Sequence, residues 1–331
     1  MHSSTETFNV HSINFHKVAY MTRYSTIITF LLFLFLSSDL IARQSNVKIE
    51  VQRNNRDGYT FYATNQSPSP FIVTIDFSTL TNLRASTSLP YSRNVSRGRS
   101  RIFKLTKEMG NLQTNYRYRY RTHTGCLDTE PDDIEYLLPY PEGGKARSGE
   151  LSYVYERLNH DAPEDWYSIV FYMKDESKIH AARKGTVISI RDGDNSTHEG
   201  LVYSSDRNYV VVAQDDCTFA RYSVFRDDEI FVNVGDTVYP GDPLGEMAGE
   251  EFGFGNQIRL LIYYRNDESV TFNREDSEGI HNWHYVKPKF RTSAGESQNP
   301  ETGMEYISIH PEDVITEEMG RRERRRWRRS N

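Results

Sequence analysis

Apolar and polar positions alternate with a period of two along much of the chain. Val47, Ile49 and Val51 alternate with polar residues, as do Tyr59, Phe61 and Ala63, then Phe71, Val73, Ile75 and Phe77. Side chains of a strand point to opposite faces in turn, so each run predicts a half-buried strand. Turn-forming clusters separate them: Asn55-Arg-Asp-Gly58, Ser67-Pro-Ser-Pro70 and Ser96-Arg-Gly98. Tyr116-Arg-Tyr-Arg-Tyr-Arg121 puts three tyrosines on one face, toward a core, and three arginines on the other, toward water. The economical architecture for residues 43–126 is an antiparallel sandwich of seven or eight strands. Residues 127–149, rich in Asp, Glu, Pro and Gly, read as a linker, within which 137–144 forms an extended entry strand. A second β domain covers 150–292, with 285–292 as its last strand, and 293–331 is a C-terminal extension. The chain is expected to be mainly β.

The N-terminus departs from this pattern. Ile27 to Leu36 is an apolar run, preceded by Arg23 and followed by small residues and Ala42. As a helix, ten residues reach only about 15 Å, too short for a bilayer core of roughly 30 Å. Basic start, short apolar stretch and small-residue exit together read as a secretory signal, so 1–42 is expected to be an upstream segment plus signal peptide. Met21 stands where such a signal should begin, and 1–20 reads as a misassigned start. Export to the periplasm or cell envelope is the expectation. In an oxidising compartment Cys126 and Cys217 could pair, yet they fall in different expected domains, and two separate thiols fit equally well.

Composition supports strands, with 22 Tyr and 17 Phe, and the net charge of −6 argues against a nucleic-acid partner for the bulk of the chain. The positive charge is concentrated at the end, in Arg321-Arg-Glu-Arg-Arg-Arg-Trp-Arg-Arg329. A solvated helix after Pro311 is the default reading, and an anionic surface is the partner it would suit.

Two segments carry a family likeness. One is Ile179-His-Ala-Ala-Arg-Lys-Gly-Thr-Val187. The other is Val232-Asn-Val-Gly-Asp-Thr-Val-Tyr-Pro-Gly-Asp-Pro-Leu-Gly245. In the second, Gly-Asp pairs suit two tight turns: glycine takes φ > 0 and aspartate hydrogen-bonds nearby backbone. With Asp216-Cys-Thr-Phe-Ala-Arg-Tyr222 and Gly253-Phe-Gly-Asn-Gln-Ile-Arg-Leu-Leu-Ile262, these segments resemble the duplicated hybrid-motif domain of lysostaphin-type (LytM-like) zinc endopeptidases over roughly 137–264. That family holds zinc with His, Asp and His and places two further histidines at the water. The resemblance lays its His-x-x-x-Asp pair on Trp166 and Val170, its next histidine on Val224, and its His-x-His pair on Gln257 and Arg259. None of these is a good zinc ligand, and a guanidinium is a permanent cation. The resemblance therefore implies a degenerate site without zinc.

Rescue ligands would have to come from His160, Asp161, Asp165, Asp175, His281 and His284, a weak set without a Glu base at recognisable spacing. His180 occupies a half-exposed strand position. The lipoyl and biotinyl carriers share the scaffold, but Lys184 lacks their flanking residues. The expectation is a non-catalytic envelope protein that binds peptidoglycan peptide, or a cell-wall enzyme, through Trp166, Tyr167, Gln257 and Arg259. The competing readings are an active zinc metalloendopeptidase with rearranged ligands and a purely structural envelope protein.

Overall fold

The computed structural model describes residues 46–54, 58–151, 162–193, 207–249, 255–270, 282–295 and 297–330. The expected signal segment, the turn residues 55–57, and His160, Asp161 and His281 lie outside the described residues. The alternating runs fold as strands: β1 (Val47–Arg53), β2 (Tyr59–Asn65), β3 (Phe71–Thr81), β4 (Leu83–Ala85), β5 (Tyr91–Val95), β6 (Gly98–Lys107) and β7 (Asn115–Thr124). They form two antiparallel sheets, ordered β1-β2-β6-β4 and β5-β3-β7. Phe61, Val73, Ile75, Phe103 and Leu105 fill the space between them, with Phe61 stacked on Phe103 at 4.8 Å. Tyr116 and Tyr118 pack against this core, whereas Tyr120 is 38% exposed. Arg119, on the opposite face of β7, grips Asp76 with Nη2 at 2.8 Å.

The rest of the chain builds a larger β region. Its strands are β8 (Glu135–Leu137), β9 (Lys145–Glu150), β10 (Ile169–Met173), β11 (Lys178–His180), β12 (Gly185–Arg191), β13 (Tyr209–Ala213), β14 (Phe219–Ser223) and β15 (Phe225–Ile230). Further along come β16 (Thr237–Val238), β17 (Pro243–Met247), β18 (Gln257–Arg265), β19 (Trp283–Tyr285), β20 (Lys289–Arg291), β21 (Ser297–Gln298) and β22 (Glu305–Ile307). Two short helices follow, α1 (Glu312–Thr316) and α2 (Arg321–Ser330). The principal sheet runs β16-β12-β13-β14-β18-β10-β9-β22, and β19 pairs with the far half of β18. Smaller sheets are β11-β17-β15 and β21-β20-β8, the last containing a parallel pair. Alternate residues of the principal sheet, including Ile169, Phe171, Val210, Val212, Tyr222, Ile258, Leu260 and Ile262, face one core.

The two Gly-Asp turns form as their chemistry requires. Asp236 accepts from the Asn233 backbone N–H at 2.8 Å and Asp242 from that of Tyr239 at 2.8 Å, while Gly235 and Gly241 take φ of +102° and +91°. At the closing Gly245 a side chain would collide with the Glu229 carbonyl oxygen, 2.6 Å from an ideal Cβ.

Three sequence expectations change. The stretch expected as a linker contributes to the core and the sheets: Leu137, Leu138 and Tyr140 are fully buried, and β8 and β9 are strands within it. Residues 285–292 do not end the sheet system; β22 returns to pair with β9 as the sheet's edge. Cys126 and Cys217 are joined, their Cα atoms 5.9 Å apart, so the sandwich is tied to the β13–β14 hairpin. Gly125 packs its Cα against Arg265, and the Asp128 N–H donates to Asp267 at 2.9 Å across the same seam.

The C-terminal extension is docked by charge. Arg183, only 1% exposed, bonds Glu318 through Nε at 3.0 Å and Nη2 at 2.9 Å, and buried Asp216 through Nη1 at 2.7 Å. Lys184 donates to the Glu318 carbonyl at 3.0 Å and lies 3.4 Å from Glu323. Leu137, Val314, Ile315 and Met319 form an apolar cluster beneath, with Tyr239 and Trp327 packed against it.

Candidate functional site

The face of the principal sheet away from its core is set by register. Val170 of β10 and Ser223 of β14 both lie directly across from Arg259 of β18, and Tyr172 lies across from Gln257. Directly opposed residues share a face, as do residues two apart along a strand. Gln257, Arg259, Val170, Tyr172, Ser223, Arg221 and Tyr209 therefore share one face, on which Val170, Gln257 and Ser223 are buried. On its β9 side Arg147 pairs in register with Tyr172 and stands 5.8 Å from the ring centroid, with Glu305 of β22 opposite Arg147 in turn. On its β13 side Arg221 covers the Tyr209 ring at 4.1 Å. Arginines interleaved with tyrosines line this surface, and each ring supplies a face that favours a cation.

At the centre, Arg259 Nε donates to Gln257 Oε1 at 3.0 Å. Gln257 is 2% exposed and Arg259 half-buried. Burial lowers the Arg259 pKa, nearby Tyr172 acts against this, and the charge of Arg207 adds to it. A guanidinium stays charged even so, and the site holds a desolvated positive charge.

Three of the five positions laid over zinc-site residues thus come together: Val170 faces Arg259 in register and Gln257 holds its guanidinium, while Val224 follows Ser223 at the end of β14. Val224 is buried at φ +80°, packed against Ala248. Trp166 is elsewhere. It donates its indole N–H to the Leu151 carbonyl at 3.1 Å and packs on Tyr285 at 4.7 Å. Tyr285 pairs with Tyr263, four residues past Arg259 and so about 13 Å further along β18. Tyr167 also leaves the group: it belongs to the core on the other side of the sheet, 6% exposed, and burial pushes its phenol up to about 12.

This donor set does not fit zinc. Valine offers no lone pair, the amide oxygen of Gln257 is already an acceptor for Arg259, and a fixed cation occupies the middle. Of the rescue residues, the structure joins Asp165 and His284, with Nδ1 2.9 Å from Oδ2, and the same oxygen accepts from the Tyr285 N–H at 3.0 Å. Among the described residues, the grouping of three side chains able to hold a metal is Asp192, Asp227 and Asp228. Asp192 Oδ1 there already accepts from the N–H groups of Gly193 and Asp228. Arg147, Tyr172, Tyr209 and Arg221 were not singled out from the sequence. Their signal is visible only once strand register is known, since arginine at an alternate strand position normally marks a solvated face.

No protein-family model matches the chain, and no curated protein matches it. Solved structures of LytM and M23-peptidase proteins do align. One is described as the LytM glycyl-glycine endopeptidase of Ruminococcus gnavus, 20% identical, covering 41% of this chain and 55% of that one at TM-score 0.22. Csd3 of Helicobacter pylori is 11% identical, with 86% and 76% covered at TM-score 0.26. The SpoIIQ–SpoIIIAH pore-forming complex aligns at 18% identity over 41% and 86%, also at 0.26. Overlap this slight decides neither fold nor chemistry. The chain is mainly β by its own strands. No helix among the described residues is long and apolar enough to cross a membrane.

Proposed function

We propose that this chain is an exported cell-envelope protein whose LytM-like domain binds an acidic peptide instead of cutting one. The observation that carries the reading is Arg259: a half-buried guanidinium, fixed by Gln257, stands where the resemblance requires a zinc-site histidine. A cation there attracts the carboxylates of a peptide stem, and arginine offers two parallel donors to each. Arg221 and Arg147 on either side extend the positive surface, and Tyr172 and Tyr209 supply flat rings beside it. Export is supported by the signal-like N-terminus and by the Cys126–Cys217 bond, which persists in oxidising compartments.

Isothermal titration with a soluble peptidoglycan stem peptide tests this. Arg259→Gln should weaken binding about 10- to 100-fold, the 1.5–3 kcal/mol of a charged hydrogen bond. Unchanged affinity would refute the assignment. Elemental analysis addresses the competing reading: one zinc per purified chain with chelator-sensitive peptide cleavage would establish a peptidase with rearranged ligands, for which Asp165 and His284 are the paired starting point.

A further inference from the structure

Helix α2 docks on the protein mainly through one side. Glu323 accepts from Tyr239 at 3.0 Å and lies 3.4 Å from Lys184, Arg324 donates to the carbonyls of Thr316 and Met319, and Trp327 packs on the Leu137 cluster. At 100° per residue these three fall within one third of the helix circumference. Arg321, Arg322, Arg325, Arg326, Arg328 and Arg329 occupy the rest and are exposed. Arg328 also reaches Glu312 at 2.7 Å.

This arrangement works against the helix itself. Arg321 and Arg325, Arg322 and Arg326, and Arg325 and Arg329 are like charges four residues apart, and such pairs destabilise a helix. Seven arginines and one glutamate give Arg321–Ser330 a net charge of +6, so the remainder of a chain of net −6 carries −12. Positive charge is thus concentrated on one outward arc of an acidic protein. Packing does not explain it, because, Arg328–Glu312 apart, the docking contacts described above use the other arc.

We infer that the outward arc of α2 is a docking surface for the anionic phospholipid headgroups of a membrane. Guanidinium pairs with phosphate through two parallel hydrogen bonds, so the chemistry recognised is phosphate. The arc carries no apolar residue to insert into hydrocarbon, which restricts the contact to the charged interface. A convex row of arginines about 15 Å long suits a plane of many phosphates. On the proposed reading of an exported chain, the signal-like run at Ile27–Leu36 would bring it to a membrane. This inference is independent of the Arg259 site.

The test is vesicle co-sedimentation of the full chain, with phosphatidylcholine alone against phosphatidylcholine containing 30% phosphatidylglycerol. Each arginine near an anionic surface is worth about fivefold in partitioning. Replacing Arg321, Arg322, Arg325 and Arg329 by Gln should therefore lower partitioning to the anionic vesicles by roughly 10²–10³-fold, while the docking residues keep the fold and the circular dichroism. Binding by the wild type should vanish in 0.5 M NaCl. Equal binding to neutral vesicles, or unchanged binding by the four-fold variant, overturns the assignment. So does tighter binding of duplex DNA or polyglutamate than of anionic vesicles at matched charge, which would name a different partner.

Discussion

His180 takes the half-exposed strand position expected of it, at the end of β11, yet its ring nitrogens are withdrawn from water. Its Nδ1 lies 2.6 Å from the Gly241 carbonyl, which makes Nδ1–H the donor of a neutral ring. Nε2 is buried without a hydrogen-bond partner among the described residues, so a second proton would have no acceptor there. Burial lowers the pKa to about 4; the Gly241 bond opposes the shift, and His310 and Lys178 add to it. The unfolded chain, at about 6.5, takes up its proton first as pH falls. The stability this group contributes is thus complete above pH 6.5 and is lost between about 6.5 and 4, on the order of 3 kcal/mol. His310, packed 5.9 Å away, is lowered by its own burial and acts in the same direction. Urea midpoints at pH 7.5, 6, 5 and 4 should fall less steeply in His180→Asn than in the wild type. Parallel curves would show that His180 is not the group responsible.

At the scale of elements, what the sequence made legible was what depends on local chemistry. Alternation located β1, β2 and β3, and the Gly-Asp pairs located two turns whose aspartates cap the N–H three residues back. The closing Gly245 permits a test. An alanine Cβ there would lie 2.6 Å from the Glu229 carbonyl and 2.8 Å from the Phe225 ring, so β17 and β15 must separate. Gly245→Ala should cost about 1–3 kcal/mol by overpacking. At Gly235, where nothing lies within 4 Å, alanine costs only the roughly 1–2 kcal/mol of left-handed backbone. Chemical denaturation distinguishes them: a Gly245→Ala variant as stable as wild type would mean the pairing is looser than drawn. Long-range elements were illegible for the converse reason. The three residues of β22 carry no periodicity of their own and are specified by pairing with β9, some 160 positions earlier. Arg183, likewise, reads locally as part of an Arg-Lys-Gly turn. Only the fold shows it buried between Asp216 and Glu318, where burial alone would raise the Asp216 pKa but hydrogen bonds from Thr218 and the Arg183 charge hold it low. The same limit applies to the candidate site: sequence named Arg259 and Gln257, and the neighbours that make them a surface came from register.

The whole molecule turns on the seam between the sandwich and the larger β region. Residues 46–331 form one compact unit, and among the described residues the groups at the seam include the Cys126–Cys217 bond, the Asp128–Asp267 hydrogen bond, the paired Asn94–Leu127 hydrogen bonds and Gly125 against Arg265. The covalent link closes a loop of sequence separation 91, and cross-linking so long a loop removes unfolded-state entropy worth up to about 4–5 kcal/mol. That stabilisation is shared, since neither part can expand without stretching the other. Cys126→Ser with Cys217→Ser should therefore do more than lower the midpoint. The sandwich keeps its core of Phe61 and Phe103 and the larger region keeps the Ile258–Ile262 face, so each retains a reason to fold but not to unfold together. The oxidised wild type should melt in one calorimetric transition, and the double variant in two, the lower shifted by several degrees. A single transition in the double variant would show that the seam's noncovalent contacts suffice to couple the two parts. The disulfide would then stabilise the chain without organising its cooperativity.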